Sequence, residues 1–373
     1  MRRRRKRIVI GGREVDADEP EDAPIEAAPI AVPASAKPSP GKVEMAPIAV
    51  APVGPAAARP AEPAPTPRAR PGAAERWGKL SRSFIEGYRL EALLGEGTMG
   101  AVFRAEQLSL HRPVAVKVLS PHYAGNERYL RRFLREARAV ARLNHPNVVS
   151  GIDVGESQGY RYFVMEFVEG PTLLDMLQSG EPLDPLAATR IVLQVAKALD
   201  HAHKAGLVHR DVKPANVIIT KKGGLVKLCD LGLAKDVEED GGETSEGRAL
   251  GTPLYISPEQ ARGDADIDIR SDLYSLGATY YYALTGRPPF DGPTHAVIMA
   301  KHLTEEFTPV RDLRPDVPAG CAEVCEQLLE KEREDRHQTP EALIAELEAV
   351  LEGRWKEEPV IRARRRSRRR RFR

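Results

Sequence analysis

β-Branched and other apolar residues alternate in three successive stretches, 88–94, 101–105 and 114–119, broken by few polar positions, and that pattern predicts three short strands of a meander. From 128 to 143 the spacing changes: Tyr129, Phe133, Ala137 and Val140 fall three or four residues apart and mark the apolar stripe of a helix. Further strands are expected at 148–154 and 160–167. Beyond Gly170 the helical period dominates, with helices expected at 185–205, 271–284, 294–302, 320–330 and 340–351. A strand-rich small lobe therefore precedes a helix-rich large lobe, an α+β arrangement.

The stretch before these elements has no such period. Between Pro20 and Gly72 stand 14 Pro and 15 Ala in 53 residues, with no Trp, Tyr or Phe, and Ala28-Pro29-Ile30-Ala31-Val32 nearly repeats as Ala46-Pro47-Ile48-Ala49-Val50. Proline fixes φ and removes donors, so this composition predicts an extended, disordered linker over 20–80. Its proline pairs also fit a docking ligand for a partner domain; composition favours the plain spacer.

Composition narrows the class. A chain of 373 residues with 42% hydrophobic and 29% charged positions fits a globular protein. No apolar run approaches the ~18 residues of a spanning helix, which excludes a transmembrane receptor. Three cysteines, Cys229, Cys321 and Cys325, cannot staple a fold of this size and fit a reducing compartment, so a cytoplasmic location is expected.

The net charge of +2 conceals a segregation: residues 1–7 hold six Arg or Lys and 362–373 hold nine Arg, with no acid in either stretch. Without those fifteen, 41 basic residues face 54 acids, so basic ends flank an acidic body. After Arg2 to Arg7 only Ile8, Val9 and Ile10 are apolar before acids begin, too short for the ~7–15-residue core of an export signal. The ends read as a basic N-terminal arm, 1–19, and an Arg-rich C-terminal tail, 353–373. Such a tail suits nonspecific contact with a polyanion, nucleic acid or anionic membrane, and equally a solubilising role; Ser367 lies inside its arginine run.

Several residues are candidates for chemistry. Gly95, Glu96, Gly97, Thr98, Met99, Gly100, Ala101 and Val102 form a GxGxxGxV string, whose glycines let backbone N–H groups approach phosphates. A strand rather than a helix follows, which points to a hairpin folded over a ligand and away from a dinucleotide-binding turn. Lys117 sits within an apolar strand and needs an anionic partner, for which Glu136 on the following helix is the candidate. His209, Arg210, Asp211, Val212, Lys213, Pro214, Ala215 and Asn216 read HRDVKPAN, and Asp230-Leu231-Gly232 follows fourteen residues later.

With Ser257-Pro258-Glu259 and Ser271-Asp272 further on, these motifs in this order resemble the protein kinases, specifically the bacterial, eukaryotic-like (Hanks-type) serine/threonine kinases, over about 88–352. The resemblance implies a two-lobed kinase-like fold over 84–352, with a small antiparallel-sheet lobe and one key helix to about 167, a large helical lobe from about 171, and disordered basic tails. It implies transfer of the γ-phosphate of ATP, with Mg2+ or alternatively Mn2+, to serine or threonine hydroxyls of protein substrates. A catalytically inactive scaffold acting through its tails is the competing reading, disfavoured because Lys117, Asp211, Asn216 and Asp230 are all present.

Position by position, Asp211 would accept or orient the hydroxyl proton, Lys213 would meet the γ-phosphate, and Lys117, held by Glu136, the α- and β-phosphates. Asn216 and Asp230 would hold the metal. Met165 would stand as gatekeeper, the backbones of Glu166 and Val168 would bind adenine, and Val102, Ala115 and Ile218 would sandwich its ring. In the activation region Thr244 and Ser245 are candidate phosphosites that Arg210 would receive, and Thr252 would bond the catalytic loop. His209 belongs to that loop's frame, Glu259 would pair with Arg336, and Asp272 would brace the loop backbone. Self-association through the small lobe is a further implication. Leu231 replaces the usual phenylalanine and keeps its apolar character. Cys229 reads as a small core residue or as a redox-sensitive thiol, and Cys321 with Cys325 as core packing.

Overall fold

A computed structural model describes residues 8–10, 13–15, 77, 84–96, 100–120, 133–134, 137–138, 140–231 and 253–356. Gly97, Thr98, Met99, Glu136, Thr244, Ser245 and Thr252, the 20–72 stretch and residues 357–373 of the Arg-rich tail lie outside these residues. The chain divides into two units, 1–46 and 47–373. In the first, β1 (Ile8–Ile10) and β2 (Arg13–Val15) pair antiparallel, a ribbon not foreseen within the basic arm.

The small lobe of the second unit is one six-stranded sheet, built from β3 (Phe84–Ile85), β4 (Tyr88–Glu96), β5 (Gly100–Gln107), β6 (Arg112–Leu119), β7 (Gly151–Ser157) and β8 (Tyr160–Glu166). The strand order is β3-β4-β5-β6-β8-β7, each pair antiparallel. Alternation divides the strands between two cores. Ala101, Phe103, Val114, Val116, Val118, Tyr162 and Val164 build an outer core, while Ala115, Phe163 and Met165 join the core that continues into the large lobe. Residues at 133–134, 137–138 and 140 are helical, with Phe133, Ala137 and Val140 buried on the predicted stripe.

The strand expected from 148 starts only at Gly151, because residues 147–149 pair elsewhere. The large lobe's hairpin, β9 (Val217–Ile219) and β10 (Val226–Leu228), captures them: Leu228 N–H donates to Asn147 O at 2.9 Å and Val149 N–H to Leu228 O at 3.0 Å. Asn147 Nδ2 adds bonds to Val226 O and to Gln194 Oε1. The junction between the lobes is thus stitched by buried hydrogen bonds, each costly to leave unmade.

Two long helices form the frame of the large lobe. In α2 (Pro185–Lys204), Asp184 caps Ala187 N–H and Pro185 opens the first turn, and the face with Ile191, Val195 and Leu199 is buried. Capped by Asp268 and ended by left-handed Gly286, α4 (Ile269–Thr285) is buried on nearly every side. Its Gly277 packs so closely on α7 (Ala319–Leu328) that a Cβ would lie 2.6 Å from Leu328 Cβ. The short helices α1 (Leu173–Leu177), α3 (Pro258–Arg262) and α6 (Val310–Leu313) escape the period analysis because one turn carries no repeat. Helices α5 (His295–Thr304) and α8 (Pro340–Leu351) fall close to their expected places. No helix among the described residues is long and apolar enough to cross a membrane.

Candidate active site

The HRDVKPAN motif occupies the turn between α2 and β9, and its shape is set from three sides. Buried Asp272 of α4 accepts the N–H of His209 and of Arg210, both at 2.6 Å. Arg210 is thereby held at φ 63°, a left-handed conformation costly for an arginine, and Gln260 Nε2 donates to its carbonyl at 2.9 Å. Burial pushes the Asp272 carboxyl above its ordinary pKa, against the pull of His209 and the two N–H groups.

His209 joins this loop to the Asp230 segment. Its Nδ1 accepts Asp211 N–H at 3.2 Å, which leaves Nε2–H to donate to Cys229 O at 3.0 Å. Pro214 then opens a single 3-10 turn, Pro214–Asn216, that returns Asn216 toward Asp211. Asn216 Nδ2 donates to Asp211 O at 2.8 Å and to Oδ2 at 3.1 Å, and Lys213 Nζ reaches the same Oδ2 at 2.7 Å. Two of the sequence-selected residues therefore meet on the carboxylate of a third.

Lys117 comes from the opposite lobe. It projects from β6 on the face shared with Ala115, and its Nζ donates to Asp230 Oδ1 at 2.8 Å. Burial alone would lower the lysine's pKa, but Asp230 outweighs it and holds the ammonium above its ordinary value. Burial likewise works against the Asp230 carboxylate, which Lys117 holds below the ordinary range. Both shifts keep the pair charged. The partner foreseen for Lys117 was Glu136, which lies outside the described residues; pairing with Asp230, 113 positions away, was not foreseen. Asp230 also takes a left-handed backbone, φ 57°.

Register sets Val102 opposite Lys117 and Ala115 opposite Met165, so the three apolar side chains lie on Lys117's face of the sheet. Ile218 is half-buried on the side of β9 away from buried Val217 and Ile219. Glu166 ends β8, where Lys227 binds its side chain at 2.8 Å, and Val168 packs against the core. Gly95 and Glu96 close β4. Gly100 has a packing reason beyond phosphate approach: a Cβ there would lie 2.0 Å from Val118 O. Leu231 is buried in the core. Burial raises the pKa of the Cys229 thiol, whose Sγ donates to Asn216 O, which argues against a reactive thiolate. Cys321 and Cys325 are buried in the large-lobe core.

Glu259 and Arg336, whose side chains are without solvent exposure, form a two-pronged pair at 2.7 and 2.9 Å. The other guanidinium N–H groups donate to the carbonyls of Glu330, Arg270 and Lys331, so all five donors are used. Gln260 was missed, although its signal was legible: Ser257 and Gln260 form a capping box at the start of α3.

A lysine on the sheet paired with Asp230, beside an Asp-Lys-Asn loop, is an arrangement suited to phosphoryl transfer. The family model described as Protein kinase domain matches residues 88–347, and the chain belongs to that family, on its bacterial Hanks-type serine/threonine branch. It is 44% identical over 272 residues to serine/threonine-protein kinase pkn3 of Myxococcus xanthus, covering 70% of this chain and 50% of the relative. Against serine/threonine-protein kinase PknB of Mycobacterium tuberculosis the identity is 39% over 279 residues, covering 74% and 44%. The chain thus spans half or less of the length of these curated relatives. Among solved structures, the Mycobacterium tuberculosis PknI kinase domain superposes with a TM-score of 0.58 at 30% identity, covering 73% of this chain and 98% of that one.

Proposed function

We propose that this chain is an ATP-dependent serine/threonine protein kinase, with its kinase domain at 84–352 between a basic arm and linker and an Arg-rich tail. The observation that carries the reading is the convergence of Lys117 and Asp230 with the Asp211, Lys213 and Asn216 cluster. In the reaction, a substrate hydroxyl attacks the γ-phosphorus, the bond from γ-phosphorus to the β–γ bridging oxygen breaks, and ADP leaves with that electron pair. Asp211 takes the hydroxyl proton and Lys213 neutralises charge on the moving phosphoryl group. Lys117, kept cationic by Asp230, binds the α- and β-phosphates, while Val102, Ala115, Met165 and Ile218 enclose the adenine, which bonds the backbone of Glu166 and Val168.

The family uses a divalent ion in general, and the donor set here suits a hard one. Asn216 spends its N–H groups on Asp211, leaving its carbonyl oxygen, and Asp230 adds a carboxylate that Lys117 keeps ionised. Mg2+ is the ion we favour, with Mn2+ as its substitute; when bound it would neutralise phosphate charge. A cytoplasmic site of action, small-lobe self-association, and polyanion contact by the tail are carried by the resemblance and the charge pattern alone.

The test is transfer from γ-labelled ATP to a generic basic protein, with and without Mg2+, followed by phosphoamino-acid analysis. The expected result is metal-dependent phosphoserine and phosphothreonine. Nucleotide binding without any transfer would favour the scaffold reading.

A further inference from the structure

Trp77 lies eleven residues before the matched kinase domain, within the stretch whose composition reads as a spacer. Yet it is 2% exposed, packed on the outer face of the small-lobe sheet among Ile85, Leu90 and Phe103. Its ring meets Phe103 edge-on at 6.2 Å. The indole N–H, its one donor, goes to Glu96 Oε1 at 3.0 Å. Glu96 is the last residue of β4 and the second of the GxGxxG string. Its other oxygen, Oε2, is buried without a hydrogen-bond partner among the described residues, so the indole is what compensates this carboxylate there.

We propose that Trp77 is a positioning residue for nucleotide: it fixes, through Glu96, the glycine-string end of β4 that would cover the phosphates. The argument rests on the reading of that string as the ATP-binding loop. A docked aromatic is rigid, with two side-chain torsions, and a charge-assisted hydrogen bond to Glu96 restrains the end of β4 from which the glycine string continues. Removing the N–H loosens this end of β4, so nucleotide pays more ordering entropy on binding. Because the coupling is reciprocal, nucleotide must also alter the surroundings of the indole.

Two measurements on the full chain test this. In the first, Trp77→Phe keeps a ring against Phe103 and deletes only the donor. The KM for ATP should rise about 3- to 10-fold, a fraction of one charge-assisted hydrogen bond, with kcat changed less than about 2-fold. A residue that only packs would lower the melting temperature and leave KM alone, and that result overturns the proposal. The second measurement uses the wild-type sequence labelled with 5-fluorotryptophan. The chain has two tryptophans, and Trp355, which donates to Glu346 Oε1 on α8 of the large lobe, is an internal control. Adding ADP and Mg2+ should move the Trp77 fluorine resonance and leave that of Trp355 in place. Nucleotide binding with an unmoved Trp77 signal overturns the proposal even if Trp77→Phe does not fold. Absence of nucleotide binding by the wild type would instead count against the kinase reading itself.

Discussion

Asp211→Asn should lower phosphate transfer by about 10^2- to 10^4-fold, the range of a deleted general base, while the KM for ATP stays within a few-fold of wild type. The split follows from geometry. Asp211 gathers Lys213 and Asn216 on one oxygen, whereas the contacts proposed for the α- and β-phosphates come from Lys117 on the other lobe, tied to Asp230. An asparagine preserves the shape and the bond from Asn216 to the Asp211 carbonyl, but its amide accepts no proton and attracts Lys213 less. Steady-state kinetics with nucleotide binding measured by calorimetry checks both halves. A loss of ATP affinity as large as the loss of rate would mean that Asp211 acts mainly by holding the loop together.

Arg336→Met should be the most destabilising single substitution discussed here, costing about 3–5 kcal/mol because it leaves Glu259 charged and buried without its partner. For a domain of this size that is a fall in melting temperature on the order of 10 °C. Arg336→Lys should recover only part of it, since three donors cannot replace the five that now serve Glu259 and three carbonyls. Burial opposes the charge on Glu259, but Arg336 and Ser271 outweigh it and hold its pKa below the ordinary 4.5. The folded-state value is the depressed one, so this contribution is complete above about pH 4.5 and disappears as pH falls through the lower folded value. Thermal melts of the three proteins from pH 7 down to about pH 3, through the window below the ordinary 4.5, check the order and the direction. Equal melting temperatures at neutral pH would show that the buried pair adds no net stability.

The two lobes and the longer helices were legible because they carry a period. Tyr88 to Ala92 alternates, Val114 to Leu119 is a short run rich in β-branched residues, and Pro185 to Lys204 repeats every three to four residues between an Asp-Pro start and a basic end. One-turn helices and the β9–β10 hairpin carry too little repeat to be seen. The displaced start of β7 had a different cause: residues 147–149 satisfy their backbone on β10, a tertiary demand absent from local pattern. At the site, the motif residues were legible by type and order, but the partnerships were not. The pairing of Lys117 with Asp230 spans 113 positions, and the strained φ of Arg210 depends on Asp272 reaching across from α4. Trp77 was hidden by composition, since a single aromatic in a Pro- and Ala-rich region does not change the average that marks a spacer.

The central claim is that the Lys117–Asp230 pair and the Asp211 cluster form one phosphoryl-transfer site acting on serine and threonine. Mass-spectrometric mapping of the purified full chain after incubation with ATP and Mg2+, beside Asp211→Asn treated identically, tests it most directly. The account predicts phosphoserine and phosphothreonine on the wild type alone, with Thr244 or Ser245 among the modified residues. Equal phosphorylation of both proteins, or none on the wild type or on added protein despite bound nucleotide, would contradict it.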